Sequence, residues 1–302
     1  KQAMQTMKGI LESTSPTPLD KLQALEEITY EEFQAFLISY LDSAYLEGLV
    51  YGNLKEASAQ ELFNSLDHML SDAHPYENRK KKEILILPSE SGPFKVEQTT
   101  EMQGHGTILA IQFGGVSFEK KAIHNILSDA LHEAFFDTLR TKQQTGYIAQ
   151  SWAVDVEDEL FQFFAVQSSS YTPENLLLRF ELFLEDFDKR LMEIVPEDRF
   201  IQLKETQITS LEIPPNNLEE MASLLGALAF VKDGDFYLKE KTVAALKDLS
   251  YEQFIEKTHE LLSHANRKRL AVLVKGKEQR KPFFYQNIAK EEMLKIGTLS
   301  SQ

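Results

Sequence analysis

Apolar residues fall at helical spacing over two long stretches of the chain, with alternating, β-type runs set between helices in the second. Residues 1–12 are helix-permissive, and the Ser-Thr-Ser-Pro-Thr-Pro run at 13–18 breaks them off. Residues 19–27 and 30–44 again carry a helical stripe, with Phe33, Phe36, Leu37, Tyr40 and Leu41 on one face and Thr29 as cap. A strand is expected over 45–51, stopped by Gly52-Asn53. A helix follows over 56–70, with Leu62, Phe63, Leu66, Met69 and Leu70 inward. Residues 73–100 look like a linker with a basic turn at 79–82 and a short strand at 84–87. The domain boundary is placed there, giving units 1–80 and 81–302.

The second unit has a regular order. A β-rich run at 107–113 lies between Gly106 and Gly114-Gly115, and a long helix capped by Ser117 follows over 117–139. Residues 147–154 and 160–167 read as two strands of an antiparallel hairpin around the acidic turn at 155–159. Helices are expected over 173–194, 196–211 and 217–231, then a helix at 250–263 and a strand at 269–274. This order predicts an α+β fold, a mostly antiparallel sheet with helices packed on one face. Ile28-Thr29-Tyr30-Glu31-Glu32-Phe33 and Leu249-Ser250-Tyr251-Glu252-Gln253-Phe254 each open a helix that leads to a β-run ending near a glycine. The parallel suggests one domain type repeated, one copy partial and one complete; shared capping chemistry alone would look the same.

Charge and composition narrow the partners. A net charge of −15 lacks the basic face a general nucleic-acid binder needs, and it suits a soluble protein or one that accepts basic peptides. There is no cysteine, which excludes disulfides and thiolate metal sites and leaves cytoplasm and periplasm equally open. No apolar run approaches the roughly 20 residues of a membrane helix. The chain starts at Lys1, inside what reads as helix, and is taken for part of a longer polypeptide.

Metal ligation finds little support. Two imidazoles on one zinc need a spacing of four, which puts them about 40° apart on a helix. His132-Glu133-Ala134-Phe135-Phe136 has phenylalanine where a second ligand belongs. His259 and His264 are five apart, or about 140° around a helix, and cannot share an ion there. The remaining candidate is the polar elbow Leu139-Arg140-Thr141-Lys142-Gln143-Gln144-Thr145-Gly146-Tyr147. A guanidinium and a phenol brought together there can bind a peptide carbonyl or a developing oxyanion. A helix-end salt bridge and an ordinary strand aromatic would use the same two residues. Ser168-Ser169-Ser170, as a polar edge, and Trp152, as a wall residue, are softer candidates for which loop and core roles are the default.

This elbow resembles a segment in the C-terminal half of the pitrilysin/insulinase family of zinc metallopeptidases. Leu46 to Leu54 looks like the last strand of that family's third domain, and residues from about 90 to 277 follow the order of its fourth. The resemblance implies that 1–80 is the C-terminal part of a third metallopeptidase-like domain and 81–302 a fourth, inactive, substrate-clamping one. It implies that Arg140 and Tyr147 contact substrate and oxyanion as auxiliary catalytic residues, with Gly146 and Gln144 in substrate binding. Gly146 would supply the tight turn that aims Tyr147. Thr145 departs from the apolar residue often found before that glycine. Zinc would belong to the full-length enzyme, its ligands absent from this chain. Partners would be the N-terminal catalytic half and peptide substrates, not nucleic acid or membrane, with a homodimer left open. The alternative is a catalytically dead peptide-binding or structural subunit of the same family.

Overall fold

The computed structural model describes residues 1–12, 16–40, 46–69 and 83–277. At its centre is a five-stranded sheet, β1 (Phe94–Gln103), β2 (His105–Gly115), β3 (Ile148–Val156), β4 (Glu159–Ser168) and β5 (Arg269–Lys277), in the spatial order β1-β5-β2-β4-β3. Only β1 and β5 run parallel; every other neighbour pair is antiparallel. The hairpin of β3 and β4 turns at Glu157 and Asp158, both in the left-handed region.

Alternation along the strands sorts side chains between two cores. Leu109, Ile111, Ala149, Phe164, Val166, Ala271 and Leu273 face a helical layer. That layer comprises α5 (Phe118–Phe135), α6 (Pro173–Lys189), α7 (Leu191–Ile194), α8 (Glu197–Glu212), α10 (Leu238–Asp248) and α11 (Tyr251–Leu262). Phe135 sits at its middle, in ring contact with Phe164, Phe180 and Phe183. Buried Arg269 ties the layer to β5. Its Nη1 meets Glu181 at 2.5 Å, while Nη2 and Nε donate to the carbonyls of Leu262, Ser263 and Asn266 that close α11.

The opposite sheet face is not bare. Helix α1 (Gln2–Leu11) lays Ala3, Met7 and Leu11, spaced four apart, onto Ile108, Ala110, Phe161, Phe163, Leu270, Val272 and Val274. The α+β class stands as predicted, and this one helix covers part of the second face.

Four local expectations change. Residues 94–100, read as the end of the linker, belong to β1, an edge strand too polar to show an alternating pattern, which runs on to Gln103. No element was expected over 238–248, where α10 packs Leu246 onto α5. Residues 46–51, expected within a strand over 45–51, form no strand among the described residues, and residue 45 lies outside them. Residues 84–87 make one isolated bridge, with the Leu85 N–H on the Leu11 carbonyl and the Leu87 N–H on Gln112. The basic turn at 79–82 lies outside the described residues.

Four more helices are described: α2 (Pro18–Glu27), α3 (Tyr30–Ser39) and α4 (Glu56–Met69) before β1 in the chain, and α9 (Leu218–Phe230) between α8 and α10. Capping boxes close the N-termini of α3 at Thr29/Glu32 and α11 at Ser250/Gln253. The two helices differ in burial. Phe254 of α11 is fully buried, whereas Phe33 at the matching place in α3 is 48% exposed.

Candidate functional site

The long helix does not end as an α-helix. After Phe135 it widens into a π-helix, Phe136–Lys142, closed by the Gln143 N–H on the Thr138 carbonyl five residues back. Leu139 is buried and anchors the turn in the helical core. Phe136 and Arg140 project one turn apart. The chain then reverses through Gln144, an exposed residue held in the left-handed region at φ 50°.

Thr145 locks the reversal. It is fully buried, and both its N–H and its hydroxyl donate to the Leu139 carbonyl, at 2.9 and 2.8 Å. An apolar residue there would keep the first bond and lose the second. Arg179 of α6 braces the other side. Its Nη1 donates to Gln143 Oε1 at 2.7 Å and its Nε to Asn175 Oδ1 at 2.8 Å, while the guanidinium stacks 4.4 Å from the Tyr171 ring.

Gly146 does not make the turn. Its φ is not positive; the left-handed residue is Gln144. Glycine is required because the backbone runs against β4: a Cβ there would lie 1.8 Å from the Gln167 carbonyl oxygen. The elbow is therefore pressed onto the end of the sheet, and Tyr147 leaves it outward, 81% exposed.

Arg140 and Tyr147 do come together. The Arg140 guanidinium carbon lies 4.7 Å from the centre of the Tyr147 ring and 5.0 Å from that of Phe136. Two such contacts contribute about 0.5–1 kcal/mol each at an exposed site. No carboxylate among the described residues pairs with Arg140, and none of its N–H groups has a protein acceptor there, so the helix-end salt bridge does not form. Lys142 instead takes Asp137, at 2.7 Å. A planar cation held between two rings keeps its edge donors available for a carbonyl or an oxyanion. The phenol beside it adds an O–H donor.

The softer candidates resolve into structure. Ser168 Oγ accepts the N–H groups of Ser170 and Tyr171 and turns the chain into α6. Trp152 stacks on Phe163 at 5.4 Å on the α1 side of the sheet. Sequence reasoning missed Phe136, Thr145 and Arg179. The unusual Thr145 was the one visible signal, and its role was not.

The histidines among the described residues do not form a metal site. Among the described residues no three His, Asp or Glu side chains are grouped to hold an ion. His132 Nδ1 lies 2.8 Å from the Ser151 carbonyl. His259 meets Asp188, and His264 meets Glu185, on separate turns of α6. His124 is buried under Phe113, and desolvation, opposed in part by Gln162 and Asp155, pushes it down to about 4. Burial raises Asp155, but Lys121 and Lys232, both on its Oδ2 at 2.6 and 2.9 Å, outweigh that and hold it below the usual carboxylate range. No helix of the described residues is long and apolar enough to cross a membrane.

Comparison with known proteins bears on the family and the fold. Residues 126–225, which contain the whole elbow, match the family described as PQQ synthase PqqF-like, C-terminal lobe domain 4. The A-factor-processing enzyme of Saccharomyces cerevisiae is 24% identical over 277 residues, covering 90% of this chain and 27% of that protein. Protease 3 of Escherichia coli K12 is 27% identical over 251 residues, 80% of this chain and 25% of that protein. Insulin-degrading enzyme of Drosophila melanogaster is 26% identical over 246 residues, 79% and 24%. The chain thus spans about a quarter of the length of the curated relatives it matches. Among solved structures, pitrilysin superposes with a TM-score of 0.76 at 21% identity, covering 96% of this chain and 30% of that one. A peptidase M16 inactive domain from Pseudomonas fluorescens superposes with a TM-score of 0.63 at 16% identity, covering 93% and 66%.

Proposed function

Since the chain belongs to the pitrilysin/insulinase family and corresponds to its C-terminal half, we propose that it is the substrate-clamping part of a zinc metalloendopeptidase. Residues 1–80 are then the end of a third domain and 81–302 a fourth. The observation that carries this reading is the Arg140 guanidinium, unpaired by any described carboxylate and sandwiched between Phe136 and exposed Tyr147.

In this reading zinc and the general base belong to an N-terminal half, as the relationship to zinc metallopeptidases suggests. A zinc ion held there would supply a water nucleophile at neutral pH. Arg140 donates to a carbonyl beside the scissile bond and holds the peptide in register. The Tyr147 hydroxyl donates to the carbonyl oxygen as it gains negative charge. Preorganised donors of this kind are worth about 2.7–4 kcal/mol each in turnover. Alone, the chain binds peptide and does not cleave it.

The test is peptide hydrolysis by the full-length polypeptide with Arg140→Ala, Arg140→Lys and Tyr147→Phe, with and without a zinc chelator. Chelator-sensitive turnover that falls about 100-fold for Arg140→Ala and Tyr147→Phe, with little change in unfolding midpoint, is expected. Arg140→Lys should restore little, because an ammonium lacks the planar fork. Unchanged kinetics in both loss variants would overturn the assigned roles. Peptide binding without any turnover in the full-length protein would instead assign the chain to a non-catalytic partner subunit.

A further inference from the structure

Gln144 is the strained point of the elbow. A residue other than glycine in the left-handed region persists where its surroundings hold it there. Both of its neighbours are held. On one side, Thr145 gives its N–H and its hydroxyl to the Leu139 carbonyl. On the other, Gln143 is still right-handed, at φ −90° and ψ −13°, and its side-chain oxygen accepts the Nη1–H of Arg179 at 2.7 Å. The first tie lies within the elbow and moves with it. The second comes from α6, 36 residues further along the chain, and fixes the elbow to another element.

Helix α6 is well anchored for that purpose. Phe180, the residue after Arg179, is fully buried, and its ring meets that of Phe135, the last residue of α5 before the π-helix. Leu176 and Phe183 continue the same buried face. Arg179 has little freedom of its own. Nε donates to Asn175 Oδ1 one turn back, and the guanidinium lies 4.4 Å from the centre of the Tyr171 ring. Its planar fork is therefore aimed at Gln143, and a bond from a charged donor is stronger than one between neutral groups. These bonds go to Asn175 and Gln143, not to Arg140 or Tyr147, so Arg179 acts on the pair through the chain between them. Without the bond to Gln143, Gln144 can relax toward the right-handed region, and the turn that carries Tyr147 swings away from Arg140.

We propose that Arg179 is a positioning residue for the reaction: by holding Gln143 it keeps Gln144 in the left-handed turn, and so keeps Tyr147 against Arg140. This deepens the substrate-clamping reading and rests on it for the effect on turnover. The placement of the pair can be measured without any turnover.

The first measurement is proton NMR of the 302-residue chain with labelled arginine. The Phe136 and Tyr147 rings shift the side-chain protons of Arg140 upfield. Arg140→Lys assigns that signal by removing it, and Tyr147→Ala gives its position with one ring gone. Arg179→Met and Gln143→Leu remove the same bond from opposite ends. Each should move the Arg140 signal most of the way to its position in Tyr147→Ala. The double variant should move it no further, because the two changes share one interaction. Arg179→Lys should leave it in between, since an ammonium lacks the fork that meets Asn175 and Gln143 together. An Arg140 signal at its wild-type position in both single variants would overturn the proposal, as would additive shifts in the double variant.

The second measurement is turnover in the full-length polypeptide. Arg179→Met should lower kcat about tenfold or more and change KM less, as displacement of a transition-state donor does. Wild-type turnover in Arg179→Met where Tyr147→Phe loses activity would overturn the proposal. Wild-type turnover in both would overturn the role given to Tyr147 instead, and the Arg140 signal would then decide whether Arg179 holds the pair.

Discussion

Gly146→Ala is the sharpest perturbation of the elbow. The new Cβ would start 1.8 Å from the Gln167 carbonyl oxygen, and ordinary contact begins at 3.4 Å. The opposing atom is β4 backbone held on both sides, at Ile148↔Gln167 and Gly106↔Gln167, so the elbow must yield. It has to move by about 1.6 Å. Applied to a stack at 4.7 Å, that shift carries the Tyr147 ring to about the 6 Å limit of a cation–π contact. The stability cost should be that of overpacking, about 1–3 kcal/mol. The functional cost should be larger, because a displacement of about 1 Å at a positioning group costs about 100-fold in rate. Urea unfolding of the chain and kcat/KM of the full-length polypeptide measure the two separately. A variant that stays within twofold in kcat/KM would show that the placement of Tyr147 does not matter to the reaction.

Three other outcomes follow from the packing. His124 titrates near 4 when folded and near 6.5 when unfolded, so between these values the unfolded chain holds more protons and stability rises with pH. About 3 kcal/mol should be present above pH 6.5 and disappear as pH falls to 4, and His124→Leu should flatten that slope in urea titrations at each pH. Arg269→Met removes the partner of Glu181 and the donor to three carbonyls ending α11. A loss of about 3–5 kcal/mol and a fall in Tm of about 6–15 °C in calorimetry are expected, with Arg269→Lys recovering a minor part. Asp155→Asn leaves Lys121 and Lys232 facing each other without a counter-charge and should cost about 3 kcal/mol, an amount that Lys232→Met in the same background should reduce.

Elements with a strong period were legible in the sequence. The hairpin of β3 and β4, helix α6 and the capped starts of α3, α5 and α11 follow from alternation, helical stripes and Thr or Ser caps. Polar or charged elements were not. β1 has one inward apolar residue, Val96, and owes its existence to β5, some 175 residues away in the chain. The site divides in the same way. Arg140 and Tyr147 stand on either side of a recognisable elbow, so the pair could be named. The π-helix that brings Phe136 beneath Arg140 has no periodic signature over seven residues. The brace from Arg179 to Gln143 joins positions 36 apart through tertiary packing alone. Gly146 could be singled out, yet its reason lay in the proximity of β4 and not in its own backbone angle.

Helix α1 makes the linker a seam in the covalent chain but not in the folded body. Ala3, Met7 and Leu11 cover the sheet face that Phe161, Phe163 and Val272 would otherwise present to water. A shorter expression fragment beginning at residue 81, as the sequence boundary invites, would be born with that face bare and prone to associate through it. Conversely, a single proteolytic nick between α1 and β1 would leave two pieces still sharing one core. They would migrate together on a sizing column and part only in denaturant.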